Sequence, residues 1–439
     1  MPLRLFFVCI NGLLLIIYPI RYCHIFNFVI FVITNVLDLK PTDMKVDFNE
    51  FLSSSAKCMK PSPIRALLGV VNQPGVISFA GGFPNPATFP IEDLKTIMME
   101  VLEEEGAKAL QYGGTDGNAA LREELAKRYV KEGLDIDKDN IIITTASQQA
   151  IDLTAKVLLD PGDIVICGLP SYLGALQAFG TYQAKMVGAE KDEELEAVVR
   201  AMCLAGKKPK FIYAIPDFQN PTGITMTIEQ REYMVRIARK YDILILEDSP
   251  YKEIRFEGEH LPYIYTMAPE RTILLGTFSK TFAPGFRLGW IVAPKEFINK
   301  INIAKQSADL CSPTFDQAVA ARYLKKGLFE KNIAGTVKMY KGKRDLILKA
   351  FEEYMPEGVT WTRPDGGLFL LVKLPEWFDA RDLFEVALKK NVAFVIGEAF
   401  FCDGSGKNTF RVNYSFMDDE SIVEGVRRLA SAIEEFMRK

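Results

Sequence analysis

The feature that most constrains the fold is a series of short, almost wholly apolar segments that alternate with helical patterns. The segments lie between residues 140 and 294 and read NIIITTA, DIVICG, KFIYAIP, DILILED, TILLGTF and GWIVAP. Strands that are apolar on both faces are typical of sheets covered by helices on both sides. Helical patterns such as SQQAIDLTAKVLLD and TIEQREYMVRIARKY lie between several of them. The alternation predicts an α/β fold with a mostly parallel, doubly wound sheet.

The pattern changes at about residue 315. A long helical stretch is followed by GVTWTRPDGGLFLLVKL, a helix, the strand NTFRVNYSF and a final helix. This order predicts a second, smaller α+β domain, and 439 residues are enough for a large domain and a smaller partner.

Residues 1–43 are the one break in composition. They hold two apolar runs, each shorter than the roughly 20 residues that a membrane-spanning helix needs. The first run fits a signal peptide except that no small-residue cleavage pattern is clear. We predict that this leader is a mis-assigned start rather than a membrane anchor, that the working chain begins at Met44, and that the protein is cytoplasmic.

Charge and cysteine usage exclude several classes of protein. The chain has 53 Lys and Arg against 56 Asp and Glu, and this balance argues against a dedicated nucleic-acid binder. Its seven cysteines are scattered and form no CxxC or Cys/His cluster. We therefore expect no zinc module, no other metal site and no disulfide framework, which favours a reducing compartment.

Polar residues follow five of the predicted strands, where doubly wound sheets bind their ligands. They are Ser147 and Gln148, Tyr172, Asn220, Asp248 and the group Thr277, Ser279 and Lys280. Taken singly, Ser147 is interpreted as a helix N-cap, Tyr172 as a packed aromatic and Asn220 as a turn residue. An acid such as Asp248 at the end of so apolar a strand needs a cation or a donor. One ligand would use all five strand ends: pyridoxal 5'-phosphate, with its phosphate, flat ring, protonated ring nitrogen, phenolic oxygen and aldehyde.

From about Met59 onward the chain resembles the fold-type I, class I/II aminotransferases, and most closely the branch of 2-aminoadipate and kynurenine aminotransferases. The motifs that carry the resemblance are SPIR, VISFAGGFPNPATFP, QYGGTDGNAALRE, SQQAIDL, PSYLGALQAF, DFQNPTG, LEDSPY, TFSKTFAPGFRLGW, DGGLFLLV and FRVNYS. The resemblance implies an aspartate aminotransferase-like fold. Its large cofactor-binding domain would span residues 91–315 and its small domain 316–439, with residues 44–90 as an N-terminal arm and part of the small domain.

The resemblance also implies roles for the residues around the cofactor. Lys280 would bond the aldehyde and shuttle the substrate proton, because a lysine beside cationic groups can have its pKa lowered enough to act as a base. Asp248 would pair with the ring nitrogen, and Tyr172 would stack on the ring. Asn220 and Tyr251 would hydrogen-bond the phenolic oxygen.

The phosphate and the dimer follow from the same resemblance. The residues implied to bind the phosphate are Ser147, Gln148, Thr277, Ser279 and Arg287. The side chain of Ser279 is expected to point away from that of Thr277, on the interpretation that alternate residues of an extended segment point apart. Tyr112 in QYGG would reach the phosphate bound by a neighbouring subunit, which implies a homodimer with shared active sites.

For the substrate, the resemblance implies that Arg411 clamps the α-carboxylate with its planar fork. Gly82 in FAGGFP would let the backbone approach the substrate, beside Asn220. Arg65 in SPIR has two interpretations, as a contact for a second carboxylate or as a surface arginine at a helix start.

The implied activity is transfer of an amino group from an amino acid such as 2-aminoadipate, kynurenine or an aromatic amino acid to a 2-oxo acid, with 2-oxoglutarate the usual acceptor. A carbon–sulfur β-lyase is the alternative on the same scaffold, using the same Lys280 and Asp248. A third interpretation is the aminotransferase-like domain of a transcription regulator. Such regulators carry a basic winged-helix segment ahead of this fold, and the apolar leader does not resemble one.

Overall fold

The computed structural model describes residues 6–10, 13–17, 30–33, 46–59, 61, 75–189 and 192–438. The chain divides into two compact units, Met1–Ser53 and Ser54–Lys439. The first unit contains an antiparallel sheet of three strands, β1 (Phe6–Ile10), β2 (Leu13–Ile17) and β3 (Ile30–Ile33). Over the described ranges, no helix combines the length and the apolar character that crossing a bilayer requires.

The second unit is built around a seven-stranded sheet. Its strands are β5 (Ile141–Thr145), β6 (Ile164–Gly168), β7 (Lys185–Ala189), β8 (Phe211–Ala214), β9 (Leu244–Asp248), β10 (Thr272–Thr277) and β11 (Leu288–Val292). They are ordered β5-β11-β10-β9-β8-β6-β7, and β11 runs antiparallel to both of its neighbours while the other pairs are parallel. The prediction of a mostly parallel sheet is confirmed.

The described residues of the second unit form thirteen α-helices, most of them long enough to cover the sheet. They are α1 (Ser54–Cys58), α2 (Ile91–Ala109), α3 (Ala119–Lys131), α4 (Ala146–Leu158), α5 (Leu173–Thr181), α6 (Asp192–Leu204), α7 (Ile228–Tyr241), α8 (Ile264–Met267), α9 (Lys295–Gln306), α10 (Thr314–Lys325), α11 (Leu328–Tyr354), α12 (Ala380–Lys389) and α13 (Asp419–Met437). The cap of α7 illustrates the local signals, because Thr227 and Gln230 form a reciprocal capping box at its start.

Both faces of the large sheet are buried, which explains the near-continuous apolar strands. In β5, Ile142 packs into one core while Ile141 and Ile143 pack into the opposite one. Successive side chains of a strand point to opposite faces, so a strand covered on both sides must be apolar at every position.

The sequence prediction missed β7. This strand lies at the edge of the sheet, and its residues are exposed or half-buried rather than fully buried. An edge strand is not required to be continuously apolar, so KMVGA lacks the pattern that marks its neighbours.

A second sheet is formed mainly by the C-terminal part of the chain. Its order is β12 (Thr360–Trp361), β13 (Phe369–Lys373), β16 (Thr409–Asn413) and β15 (Val395–Ile396). Strand β4 (Ile77–Ser78) pairs in parallel with β14 (Val392–Ala393), and Phe79 lies in the same core as these C-terminal elements. The segment around residue 80 thus packs with the C-terminal core. The predicted domain limits at residues 90 and 315 stay a prediction.

Candidate active site

The polar residues predicted at the strand ends lie at one edge of the large sheet. Strand β5 ends at Thr145, where α4 begins, and β9 ends at Asp248. Strand β10 ends at Thr277 on the same edge, because β9 and β10 are parallel. The antiparallel β11 begins at that edge, so Arg287, which directly precedes it, returns to the same place.

A close backbone approach joins two of these elements. A side chain at Gly289 would have its Cβ 2.5 Å from the carbonyl carbon of Ala146 and 2.6 Å from the backbone nitrogen of Ser147. Glycine therefore lets β11 lie directly against the first turn of α4. That turn presents backbone N–H groups, which favour an anion.

Asp248 is a buried acid with one oxygen paired and one free. The Tyr213 hydroxyl donates to Asp248 Oδ2 over 2.8 Å, whereas Oδ1 is buried and has no hydrogen-bond partner. Burial raises the pKa of Asp248 to about 7, and the bond from Tyr213 opposes that rise. A buried carboxylate oxygen without a donor fits a cationic N–H group on a ligand.

Lys280 lies in a half-buried position directly after the end of β10. Its Nζ donates to the backbone carbonyl of Gly82 over 2.7 Å. Burial, together with the nearby charges of Arg411 and Arg287, lowers the pKa of Lys280 to about 8. A lysine of this kind is partly unprotonated near neutral pH and is available as a nucleophile and a base.

Arg411 is a buried cation whose donors are only partly used. Its Nη1 donates to Asn220 Oδ1 over 2.9 Å and its Nη2 to the carbonyl of Ala80 over 2.8 Å, while its buried Nε has no partner. The guanidinium lies 4.2 Å from the ring centroid of Phe369, a cation–π contact. Burial lowers the pKa of Arg411 to about 10, so it keeps its charge at neutral pH. The structure brings Arg411 and Asn220 into direct contact.

Tyr251 joins the same group. It is buried, and its hydroxyl is hydrogen-bonded to the side chain of Asn220. Burial raises the pKa of Tyr251 above its usual value, so the phenol stays protonated and can serve as a donor.

Thr277 and Ser279 lie side by side, and the expectation that they point apart is wrong. Their hydroxyl oxygens are 3.0 Å apart, and the backbone N–H of Ser279 donates to Thr277 Oγ1 over 3.1 Å. Side chains two residues apart in an extended segment lie on the same face, so the alternation of neighbouring side chains does not separate Thr277 from Ser279. Thr277 Oγ1 also lies 3.0 Å from the Leu288 carbonyl, while Arg287 is exposed at the rim.

The interpretation of Ser147 as an N-cap is also wrong. The N-cap of α4 is Thr145, without a side-chain cap bond, and Ser147 is the second residue of the helix. Ala146, the first, has a positive φ of 61°, a strained conformation for a residue with a Cβ. Ser147 therefore lies inside the N-terminal turn, the part of a helix that offers unpaired N–H groups.

Tyr172 and Gln148 are in contact. Tyr172 caps α5, and its hydroxyl donates to Gln148 Oε1 over 3.2 Å. Gln148 Nε2 in turn donates to the Gly174 carbonyl over 2.9 Å. The start of α5 is thereby tied to the start of α4, which keeps the ring of Tyr172 at the same edge of the sheet.

Two predicted residues are not tested by these contacts. Tyr112 is 79% exposed. Arg65 falls outside the described residues. Tyr213, by contrast, was not predicted. No sequence signal marked it, because the contact follows from the register of β8 and β9, which pairs Tyr213 with Leu246, two residues before Asp248.

Comparisons with known proteins agree over most of the chain. The model of the family described as aminotransferase class I and II matches residues 76–429. The aromatic-amino-acid aminotransferase 1 of Thermococcus litoralis is 46% identical over 403 residues, which are 90% of this chain and 96% of the relative.

Two solved structures show the same fold. The kynurenine aminotransferase of Pyrococcus horikoshii, in complex with PMP, is 45% identical, and the match covers 90% of this chain and 99% of that chain with a TM-score of 0.86. The α-aminoadipate aminotransferase of Thermus thermophilus, complexed with N-(5'-phosphopyridoxyl)-L-leucine, is 37% identical. That match covers 90% of this chain and 100% of that chain, with a TM-score of 0.83.

Proposed function

Because the chain belongs to the class I and II aminotransferases and is a pyridoxal-phosphate-dependent transaminase, we propose that it moves the amino group of an aromatic amino acid, kynurenine or 2-aminoadipate to 2-oxoglutarate. The donors are those named for its relatives, an aromatic-amino-acid, a kynurenine and an α-aminoadipate aminotransferase. The acceptor is the usual one in this branch.

The observation that carries the proposal is the free Oδ1 of Asp248. Pyridoxal 5'-phosphate fits the residues present, since its protonated ring nitrogen would supply the donor that this buried oxygen lacks. When bound, the cofactor acts as an electron sink for the carbanion formed at the substrate Cα. Asp248 would hold the proton on the ring nitrogen and so preserve that property.

Lys280 is proposed to bond the cofactor aldehyde and then to move the proton at the substrate Cα. Its lowered pKa supports this role, because an unprotonated amine is needed for both tasks. The Gly82 carbonyl accepts from Lys280 Nζ and would orient the amine before it reacts. The lysine and the free acid oxygen would therefore act at two different atoms of the cofactor.

Arg411 is proposed to bind the α-carboxylate of every substrate. A guanidinium has five N–H donors, and one bond from each Nη is used within the chain. The donors that remain include the buried Nε, which a carboxylate would satisfy in a forked geometry that lysine cannot supply. Asn220 accepts from Arg411 and would hold the fork in place.

The phosphate would be held by the first turn of α4 together with the hydroxyls and the charge opposite it. The residues proposed for this are Ser147, Gln148, Thr277, Ser279 and Arg287. Tyr172 would stack on the ring, and Asn220 and Tyr251 would bind the phenolic oxygen. The exposed Tyr112 supports a homodimer in which it reaches the neighbouring subunit's phosphate. A cytoplasmic location remains part of the proposal.

A panel of amino donors tests the proposal. The purified, cofactor-loaded protein is given 2-oxoglutarate with 2-aminoadipate, kynurenine, phenylalanine or tyrosine, and glutamate is measured. We expect glutamate from at least one donor and none from the Lys280→Ala protein. Release of pyruvate and ammonia from a cysteine conjugate without any 2-oxo acid, and no glutamate from any donor, would identify a β-lyase instead.

A further inference from the structure

Tyr213 is a buried residue of β8 that contacts Asp248, the acid of the site. It is 2% exposed, and its hydroxyl donates to Asp248 Oδ2 over 2.8 Å. Its ring packs edge-on against Phe179, with 5.5 Å between the centroids. Both the ring and the hydroxyl therefore have fixed neighbours.

The sheet register brings the two side chains together. In the parallel pair of β8 and β9, Tyr213 is paired with Leu246. Asp248 is two residues further along β9, so its side chain points to the same face as that of Leu246. The contact is thus a diagonal one between neighbouring strands, set by the backbone.

We propose that Tyr213 is a positioning residue that orients the Asp248 carboxylate toward the cofactor and keeps it ionised. The inference rests on the proposed role of Asp248. A carboxylate has two oxygens, and the tyrosine takes Oδ2, which leaves Oδ1 as the oxygen without a donor from the protein. Without the tyrosine, the carboxylate group could rotate, and neither oxygen would be held toward the cofactor.

The charge balance at Asp248 supports the same role. Burial raises its pKa, and the hydrogen bond from Tyr213 lowers it. Among the described residues, the other titratable groups that interact electrostatically with Tyr213 or Asp248 are the buried or half-buried Tyr172, Tyr251 and Cys167. None of these three is a cation, so the phenol is the protein donor that favours the carboxylate form.

Loss of the Tyr213 hydroxyl would raise the pKa of Asp248 and so move the proton that lies between Asp248 and the cofactor ring nitrogen toward the acid. A carboxyl group with a higher pKa competes more strongly with the ring nitrogen for the proton between them. The ring would then be a weaker electron sink, which slows the chemical step more than it weakens substrate binding. We expect a fall in kcat of about 10- to 100-fold in Tyr213→Phe, the range for one hydrogen bond to a charged group.

The test uses the holoenzyme and a cofactor analogue. Phenylalanine keeps the ring that packs on Phe179 and removes only the hydroxyl. Affinities of wild type and Tyr213→Phe are measured for pyridoxal 5'-phosphate and for its 1-deaza analogue, which has carbon in place of the ring nitrogen. We expect the substitution to weaken the natural cofactor several-fold and to leave the affinity for the analogue unchanged. An equal loss for both would mean a general packing effect and would overturn the proposal.

Two further variants separate the possible failures. Tyr129→Phe is the matched control, since Tyr129 is also buried and its hydroxyl accepts from Trp290 Nε1 over 2.7 Å, away from Asp248. It should keep the wild-type kcat. If Asp248→Asn loses turnover while Tyr213→Phe keeps it, the role of Tyr213 is wrong and that of Asp248 stands. If Asp248→Asn is fully active, the proposed role of Asp248 is itself wrong, and the inference fails with it.

Discussion

The Nζ of Lys280 lies 2.7 Å from the carbonyl oxygen of Gly82, a residue 198 positions earlier in the chain. The contact links the end of β10 to the segment that follows β4 and packs with the C-terminal core. A carbonyl can accept from the lysine whether or not the amine is charged. The bond orients the nitrogen without fixing its protonation state, as a residue that must both react and carry protons requires.

Replacement of Lys280 tests its role as the residue that bonds the cofactor. Lys280→Ala should abolish turnover and the visible absorption of the bound cofactor, because no other amine takes its place. Borohydride reduction of the wild type should attach the cofactor to the peptide that contains Lys280, as mass spectrometry would detect. Lys280→Arg is the matched control, since it keeps the positive charge but cannot bond the aldehyde. Full turnover in either variant would contradict the assignment.

The lowered pKa of Lys280 predicts a pH dependence of cofactor uptake. In the cofactor-free protein the amine should lose its proton near pH 8, against 10.5 for an ordinary lysine. The rate of cofactor binding should therefore rise with pH and level off above about 8. Arg287→Gln removes one of the charges that disfavour the lysine cation, so the midpoint should move to higher pH. Arg363→Gln, which replaces an exposed arginine paired with Glu352, should leave the midpoint unchanged.

The raised pKa of Asp248 predicts a loss of stability with rising pH. Between about pH 4 and 7 the folded, cofactor-free protein holds a proton that the unfolded chain has released, so its free energy of unfolding falls as pH increases. The total change from this group is at most about 4 kcal/mol. Buried Glu247 also has a pKa raised to about 7, so the comparison must be between variants. Asp248→Asn should reduce the slope of the free energy of unfolding against pH, which is measured by urea unfolding at pH 5 and pH 7.5. Identical slopes would show that Asp248 does not titrate in this range.

Removal of Arg411 should weaken all substrates alike. Arg411→Ala leaves every α-carboxylate without its forked cation, so KM should rise for each donor by a similar factor. The ratio of kcat/KM values should correspond to a loss of about 2 to 4 kcal/mol of transition-state stabilisation, the scale for a charge-assisted pair in a buried site. Steady-state kinetics with one aromatic and one acidic donor measures this. A rise in KM confined to one donor would place Arg411 on the side-chain part of the pocket.

Arg65 should matter only for donors with a second carboxylate. An arginine that faced an apolar side chain would have to swing away or stay unpaired, and either costs free energy. Arg65→Ala should therefore weaken 2-aminoadipate and glutamate while it spares phenylalanine, tyrosine and kynurenine. Equal losses in both groups, or none in either, would mean that Arg65 lies at the surface.

The sequence allowed the sheet and the meeting of its strand ends to be predicted, because both follow from local patterns and from the geometry of parallel strands. Asp248 and Lys280 were predicted on this basis. The N-cap of α4 was not, since Thr145, Ala146 and Ser147 differ in backbone dihedrals that their identities do not determine. Tyr213 was missed because its partner lies on another strand, and only the register reveals the contact. Edge strand β7 was missed because it carries no continuous apolar signal.

Strand β11 runs against the direction of its two neighbours, with Thr277 opposite Gly289. The connection between those residues is anchored at both ends, and every residue of β11 is buried. A shift of β11 by one residue, caused by an insertion or deletion before or within it, would turn each of its side chains toward the opposite core. The length of this stretch is therefore constrained by the register of β11, in addition to the roles proposed for Ser279, Lys280 and Arg287 within it.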